Sequence, residues 1–218
     1  TPTLVINKTI SLNNLDRMID VAKKNNLSLR PHFKTHQSIE IGNWFKEKGV
    51  TSITVSSISM AEFFSSVWND ITIAFPLNIL EIDKLNLMIR GNRVKLLIDS
   101  ISSLKVLDSQ LGDAVEVFLK IDVGYNRAGL KVEEKEKIKS FIEFCNTSKN
   151  ITFLGFLAHF GDSYKSRNKT EIKNVFQKSI NKIEVLNIDF PSYQVSIGDT
   201  PTSSTIEKYP DFVNEIRP

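Results

Sequence analysis

The stretches VEVFLKIDV (residues 115–123) and ITFLGFLAH (residues 151–159) decide the fold of this chain. Both are runs of β-branched and large apolar residues, with the length and composition of buried strands. Between them, Ile138, Phe141 and Cys145 recur at helical spacing, which predicts a helix with one buried face. A strand, a helix and a second strand in this order predict a right-handed βαβ unit with parallel strands.

The same alternation of apolar runs and helical patterns extends along the rest of the chain. The strands are predicted at residues 27–33, 51–57, 71–75, 94–98, 115–123, 151–159, 193–197 and 212–216. Helical patterns precede the first strand and separate most of the others. Eight parallel strands joined by helices predict a (β/α)8 barrel of the TIM type. No Gly-x-Gly-x-x-Gly follows the first strand, which disfavours a dinucleotide-binding open sheet.

Composition narrows the class of protein. The 218 residues are enough for one large domain, and the net charge of +3 comes from basic and acidic residues that are interspersed. No basic cluster indicates nucleic-acid binding, and no apolar run has the length of a membrane span. The single Cys145 excludes an intramolecular disulfide. In the absence of a visible secretion signal, we expect a cytoplasmic protein that binds neither nucleic acid nor membranes.

Polar and basic residues are concentrated directly after four of the predicted strands. The four clusters are RPHFKTH (30–36) after the first strand, DVGYNRAG (122–129) after the fifth, HFGDSY (159–164) after the sixth and SIGDTPT (196–202) after the seventh. Each cluster alone has an ordinary explanation, such as a solvated lysine or a turn. The carboxyl ends of barrel strands meet at one face, where active sites lie. Four clusters on that face therefore favour a functional site.

The last of these clusters is suited to a phosphate group. Its small residues leave backbone N–H groups accessible, and phosphate sites in barrels commonly follow strands seven and eight. Lys34 follows the neighbouring first strand. Pyridoxal 5'-phosphate (PLP) is a cofactor that needs both a lysine amine for its aldehyde and an anion site for its phosphate. The sequence therefore predicts PLP binding with Lys34 as the covalent attachment point.

The clusters also resemble the motifs of the D-threonine aldolase and D-serine dehydratase family, fold type III PLP enzymes whose N-terminal barrel is like that of alanine racemase. RPHFKTH resembles the cofactor-lysine motif of that family, and residues 1–6 and 215–218 resemble its opening strand and its exit from the barrel. The resemblance implies one alanine racemase-like barrel domain over residues 1–218. It also implies a strand within residues 1–10 that would pair with a C-terminal β-domain, and that domain is apparently missing.

Carried over residue by residue, the resemblance implies the roles of single side chains. Lys34 would form the Schiff base, Arg127 would lie near the phenolic oxygen of the cofactor, and His159 would lie beside its ring. Lys34, His36 and Arg127 would be the catalytic residues, with His36 as a partner of the lysine. The remaining cofactor contacts implied are Tyr164, Ser196, Gly198, Asp199 and Thr200. Asp199 would act through its backbone N–H, because its carboxylate would repel the phosphate.

The activity implied is that of a PLP-dependent lyase acting on D-3-hydroxyamino acids, with D-threonine aldolase-like cleavage to glycine and an aldehyde preferred. D-serine dehydratase and amino-acid racemase activities remain open, as does a non-catalytic PLP-binding homeostasis protein. No metal ligands are predicted in these residues, and a divalent metal is expected only with the C-terminal domain. The barrel alone would lack part of the catalytic set, and a homodimer is expected only of the full-length protein.

Overall fold

The computed structural model describes residues 5–218, and within that range the chain forms eight α-helices and nine β-strands. The helices are α1 Lys8–Lys24, α2 Ile39–Glu47, α3 Ile58–Ser65, α4 Ile82–Ile89, α5 Ile101–Gln110, α6 Lys135–Thr147, α7 Lys169–Asp189 and α8 Thr200–Thr205. The strands are β1 Ser28–Leu29, β2 Ser52–Val55, β3 Asp70–Pro76, β4 Arg93–Ile98, β5 Val115–Asp122, β6 Leu130–Lys131, β7 Ile151–His159, β8 Gln194–Gly198 and β9 Glu215–Ile216. Short 3-10 helices cover Ile79–Glu81 and Gly161–Lys165.

Eight of the strands form a parallel ring in the order β1-β9-β8-β7-β5-β4-β3-β2. His32, just beyond β1, pairs in parallel with Thr54 of β2 and so joins the two ends of that order. Among residues 5–218, the one strand outside this ring, β6, has two residues and pairs with β5. The result is a nearly closed barrel whose successive strands are joined mostly by helices, and the (β/α)8 prediction is confirmed.

Side-chain caps determine where several helices begin. Asn7 accepts a hydrogen bond from the backbone N–H of Ile10, so α1 begins at Lys8. Residues 8–10 are therefore helix and not part of the predicted opening strand. Residues 5–7 are irregular, and the first four residues of that predicted strand lie outside the described range. Helices α5 and α8 were not predicted from the sequence.

Two apolar cores stabilise the barrel. The larger one lies between strands and helices and includes Ile53 and Ile71, which have no exposed surface. The smaller one consists of Leu97, Phe118 and Leu157. Leu97 and Phe118 alternate along β4 and β5 with residues of the larger core, so they point to the opposite face. That face encloses the interior of the barrel, as expected of a packed barrel. Within residues 5–218, no helix is long and apolar enough to cross a membrane.

Candidate active site at the barrel mouth

Two histidines show that the separate motifs meet at the mouth of the barrel. Burial, together with the nearby charges of Lys34 and Arg217, lowers the pKa of His32 to about 3. Burial likewise lowers the pKa of His159 to about 4, and Arg127 and Arg217 contribute in the same direction. Such charge effects require short separations. The structure therefore brings together the residues after β1, β5, β7 and β9.

Lys34 lies in the turn that follows His32, and its side chain is exposed. Its backbone N–H donates to Nδ1 of His32 at 3.3 Å, and its carbonyl accepts from Nε2 of Gln37 at 3.1 Å. Gln37 has a φ of 44°, in the left-handed region, which bends the chain sharply toward α2. The turn is thus held at both ends of the lysine, and the amine is accessible from solvent.

His36 points away from the mouth into an aromatic cluster. Its ring meets Phe33 edge-on at 4.4 Å between centroids, stacks on Phe45 at 5.8 Å and lies near Phe64. Its Nδ1 accepts from the N–H of Ser38, while its buried Nε2 has no hydrogen-bond partner among the described residues. His36 therefore packs behind the Lys34 turn, and its catalytic role stays a prediction that this placement does not favour.

The loop after β8 keeps its carboxylate inside the protein. Asp199 accepts hydrogen bonds from the hydroxyls of Ser163 and Thr202 at 2.5 Å each, and from the N–H of Thr202 at 2.9 Å. The carboxylate is therefore fully engaged as the cap of α8, and only the backbone of Asp199 remains for an anion. At the exposed surface of the same loop, the N–H of Thr200 donates to the hydroxyl of Tyr164 at 3.3 Å.

Ser196 lies inside the barrel and not on this loop. Its hydroxyl donates to Oε1 of Glu215 at 2.6 Å and accepts from Nε of Arg217 at 2.8 Å, and it has no exposed surface. A direct contact between Ser196 and a cofactor stays a prediction that these bonds do not favour. At Gly198, a Cβ would collide with the backbone carbonyl of Arg217, so glycine allows β8 and β9 to approach closely.

The two mouth histidines are held in opposite tautomers. Nδ1 of His159 lies 2.8 Å from the carbonyl oxygen of Gly198, which can only accept, so Nδ1 carries the proton. Nδ1 of His32 accepts the N–H of Lys34, so in His32 the proton is on Nε2. In the neutral rings, His159 therefore offers a free acceptor at Nε2, whereas His32 offers a donor there.

Two buried cations of the mouth were missed by sequence reasoning. Burial, together with the charges of Arg217 and Arg127, lowers the pKa of Lys120 to about 7, and its Nζ donates to the carbonyl of Ile121. Arg217 is also buried, which lowers its pKa to about 10, and its Nη2 donates to the carbonyl of Ala158 at 2.7 Å. A lysine within the apolar run VFLKID was the signal that could have identified Lys120.

A cavity of about 190 Å³ opens at the ends of β2, β3 and β4. Ser56 forms part of its wall, and the Oγ of Ser56 lies 3.5 Å from Nε2 of His32, so the cavity adjoins the mouth. Ile58, Phe75 and Leu97 supply apolar lining. Within residues 5–218, no three His, Cys, Asp or Glu side chains lie close enough together to share a metal ion.

The donor set of the mouth fits PLP. An exposed lysine can react with the aldehyde, the N–H of Thr200 and the hydroxyl of Tyr164 can bind phosphate oxygens, and Arg127 and Arg217 can balance negative charge. The carboxylate of Asp199 does not compete with an anion at the phosphate loop, because it is engaged in the interior.

The chain belongs to the family described as "Alanine racemase, N-terminal domain", whose model matches residues 8–218. It is similar to the D-serine dehydratase of Dictyostelium discoideum, with 30% identity covering 100% of this chain and 61% of that protein. It is also similar to the D-threo-3-hydroxyaspartate dehydratase of Delftia sp. (strain HT23), with 27% identity over 100% of this chain and 59% of that protein. The solved structure of the Delftia enzyme superposes with a TM-score of 0.86 at 26% identity, again over 100% and 59% of the two chains.

A solved D-threonine aldolase from Filomicrobium marinum shares the fold, with a TM-score of 0.83 and 20% identity over 100% of this chain and 61% of that chain. The chain thus spans about three fifths of the length of the relatives it matches. The resemblance to fold type III PLP enzymes of the D-serine dehydratase and D-threonine aldolase group is confirmed.

Proposed function

We propose that the protein is a PLP-dependent lyase acting on D-3-hydroxyamino acids, with Lys34 as the lysine that bonds the cofactor. The observation that carries this proposal is that Lys34, Lys120, Arg127 and Arg217 lie around one mouth. Lys34 is hydrogen-bonded to His32, and Arg217 is hydrogen-bonded to the carbonyl of Ala158, which directly precedes His159. Arg127 lies over the ring of Tyr125, which is 6.0 Å from the ring of His159.

These cations form no direct ion pair within residues 5–218, although the carboxylates of Glu215 and Asp199 raise the pKa of Arg217. Such a group of cations in a barrel mouth is suited to an anionic ligand. Both the phosphate of the cofactor and the carboxylate of an amino acid are anions.

The residues of the chain divide between binding and proton transfer. Tyr164 and Thr200 would bind the phosphate, and Arg217, fixed by Ser196 and the carbonyl of Ala158, would hold positive charge inside the barrel. PLP, when bound, supplies an electron sink for the negative charge that develops at the substrate Cα. Nε2 of neutral His159 is left as a hydrogen-bond acceptor at the mouth, where it would face the cofactor or the substrate.

Dehydration is the reaction that the relatives favour, because the two curated proteins at 27–30% identity over the whole chain are both dehydratases. Aldol cleavage remains the competing reaction, because RPHFKTH and the other three motifs resemble those of the D-threonine aldolase group as well. The two reactions can begin with the same bound substrate. Dehydration breaks the Cα–H and Cβ–O bonds, whereas aldol cleavage breaks the Cα–Cβ bond. They also give different products, so one assay separates them.

The test is product analysis of the full-length protein with PLP and D-serine, D-threonine or D-threo-3-hydroxyaspartate, beside the L-enantiomers and a Lys34→Ala variant. Dehydration yields a 2-oxo acid and ammonia, aldol cleavage yields an amino acid and an aldehyde, and racemisation yields the other enantiomer. We expect 2-oxo acid from a D-substrate and none from the variant. Covalent PLP binding without turnover of any substrate would favour the homeostasis protein instead and would overturn the proposal.

A further inference from the structure

His32 occupies an anchored position directly before the turn that carries Lys34. Its backbone N–H donates to the carbonyl of Pro218 at 3.0 Å, and the residue pairs with Thr54 where the ring of strands closes. The next residue, Phe33, donates its N–H to the carbonyl of Thr54 at 2.9 Å and has no exposed surface. The backbone is therefore fixed up to the peptide that precedes Lys34.

The side chain of His32 continues this anchoring into the turn itself. Its Nδ1 accepts the N–H of Lys34 at 3.3 Å, and its Nε2 lies 3.5 Å from Oγ of Ser56, which directly follows β2. Only the neutral ring can do this, because an imidazolium has no acceptor at Nδ1. Burial and the nearby charges of Lys34 and Arg217 hold His32 in that neutral form.

We propose that His32 is a positioning residue for Lys34, acting through the hydrogen bond from the Lys34 N–H to Nδ1. The bond sets the plane of the peptide that joins Phe33 to Lys34, and that plane determines the direction in which the lysine side chain leaves the backbone. On the other side of the turn, Phe33 and His36 pack in the aromatic cluster. The turn is thus clamped between β2 and α2. This inference rests on the proposed function of Lys34.

The geometry matters for covalent attachment of the cofactor. Nζ of neutral Lys34 would bond the aldehyde carbon, and the two protons of its amine would leave with the carbonyl oxygen as water. An error of about 1 Å in placing a reacting atom can reduce a rate by up to about a hundredfold. Loss of the His32 bond is therefore expected to slow attachment without removing the groups that bind the rest of the cofactor.

The test compares His32→Asn with His32→Gln in the full-length protein. The carbonyl of asparagine lies near the position of Nδ1 and can still accept the Lys34 N–H, whereas the longer glutamine places its amide near the position of Nε2. The rate of covalent attachment of PLP is followed by absorbance. The equilibrium affinity for pyridoxamine phosphate, which has an amine in place of the aldehyde and cannot bond to lysine, reports whether the pocket is intact.

We expect His32→Gln to slow attachment roughly tenfold while its affinity for pyridoxamine phosphate stays within about twofold of the parent, and His32→Asn to resemble the parent. Parent-like attachment in His32→Gln, equal slowing in both variants, or a parallel loss of pyridoxamine phosphate affinity would each overturn the inference. If the parent protein itself forms no bond with PLP, the proposed function fails and this inference fails with it. The other outcomes leave the proposed function standing.

Discussion

The two ends of the barrel interior both contain charged side chains, but only one end pairs them. Away from the mouth, Arg30 contacts Glu215 at 2.6 Å and Asp70 at 2.7 Å, and Lys95 contacts the same Asp70 oxygen at 2.6 Å. At the mouth, the buried cations Lys120 and Arg217 make no ion pair within the part of the chain that the structure describes. The same residue types therefore have different roles at the two ends.

The difference indicates which charges serve the fold and which serve a ligand. A buried charge that is paired and hydrogen-bonded satisfies its partner and specifies the packing around it. A buried cation without a carboxylate partner costs free energy, and this is why burial lowers the pKa of Lys120 and of Arg217. A bound anion would offset this cost, so buried cations without an ion pair are expected where an anionic ligand binds. The following predictions start with the largest expected effect.

The largest loss of stability is expected when Arg30, which pairs with both Glu215 and Asp70, is replaced. Arg30→Met leaves Glu215 buried without its cationic partner, and we expect the free energy of unfolding to fall by about 3–5 kcal/mol. The control is Lys48→Met, because Lys48 pairs with Asp16 at 2.8 Å and both side chains are exposed. That loss should be about 0.2–1 kcal/mol. Urea unfolding at pH 7 measures both, and equal losses would contradict the distinction between buried and exposed pairs.

Replacing a buried cation of the mouth by a neutral residue should raise the free energy of unfolding. The pKa of Lys120 is about 7 in the folded protein and near its ordinary 10.5 when unfolded, so the unfolded state holds more protons between those values. Stability should therefore rise with pH across that window. Lys120→Met should remove this rise and stabilise the protein below pH 7 by about 1–4 kcal/mol. Urea unfolding at pH 6 and pH 9 tests this, and an unchanged pH slope in the variant would contradict it.

The exposed cation of the mouth should affect binding and not folding. Arg127 lies over the ring of Tyr125 at 5.7 Å and influences His159 electrostatically. Arg127→Met should change the free energy of unfolding by no more than about 0.5 kcal/mol. It should weaken PLP binding roughly tenfold, since one charge-assisted contact is lost. Lys131→Met, a charge removed from the exposed strand β6 nearby, is the control, and an equal loss in both variants would indicate only a general charge effect.

The smallest effect is expected at the phosphate loop. Tyr164→Phe removes the hydroxyl that lies beside the N–H of Thr200. Loss of one hydrogen bond to the phosphate is expected to weaken PLP binding by about two- to tenfold, with the fold unchanged. Equilibrium titration with PLP measures this. Affinity equal to that of the parent protein would remove Tyr164 from the set of phosphate contacts.

Most of the barrel could be predicted from the sequence because its strands are buried on both faces and are therefore apolar throughout. VEVFLKIDV and ITFLGFLAH correspond to β5 and β7 with shifts of at most one residue. Helix α5 was missed because ISSLKVLDSQ buries only Leu104 and Leu107, which is too few positions for a clear period. Helix α8 was missed because TPTSST consists of residues with low helix propensity, and its start depends on the cap by Asp199.

The site was predictable only in part. Lys34, Arg127, His159 and Tyr164 come from motifs next to strand ends, and the structure places all four around one mouth. The pairing of Arg30 with Glu215 and the position of Ser196 depend on which strands become neighbours when the ring closes. That is a long-range property, which local patterns do not contain. The orientation of His36 likewise depends on Phe45 of a helix packed from outside.

The central claim is that Lys34 bonds PLP at this mouth, and the most direct measurement is the visible absorption spectrum of the full-length protein titrated with PLP. The parent should develop a yellow band that borohydride reduction fixes on Lys34, as shown by peptide mass. Lys34→Ala should lack that band, whereas Lys165→Ala, which removes a lysine paired with Asp162 near the same mouth, should keep it. A band that persists in Lys34→Ala, or a parent spectrum identical to that of free PLP, would contradict the account.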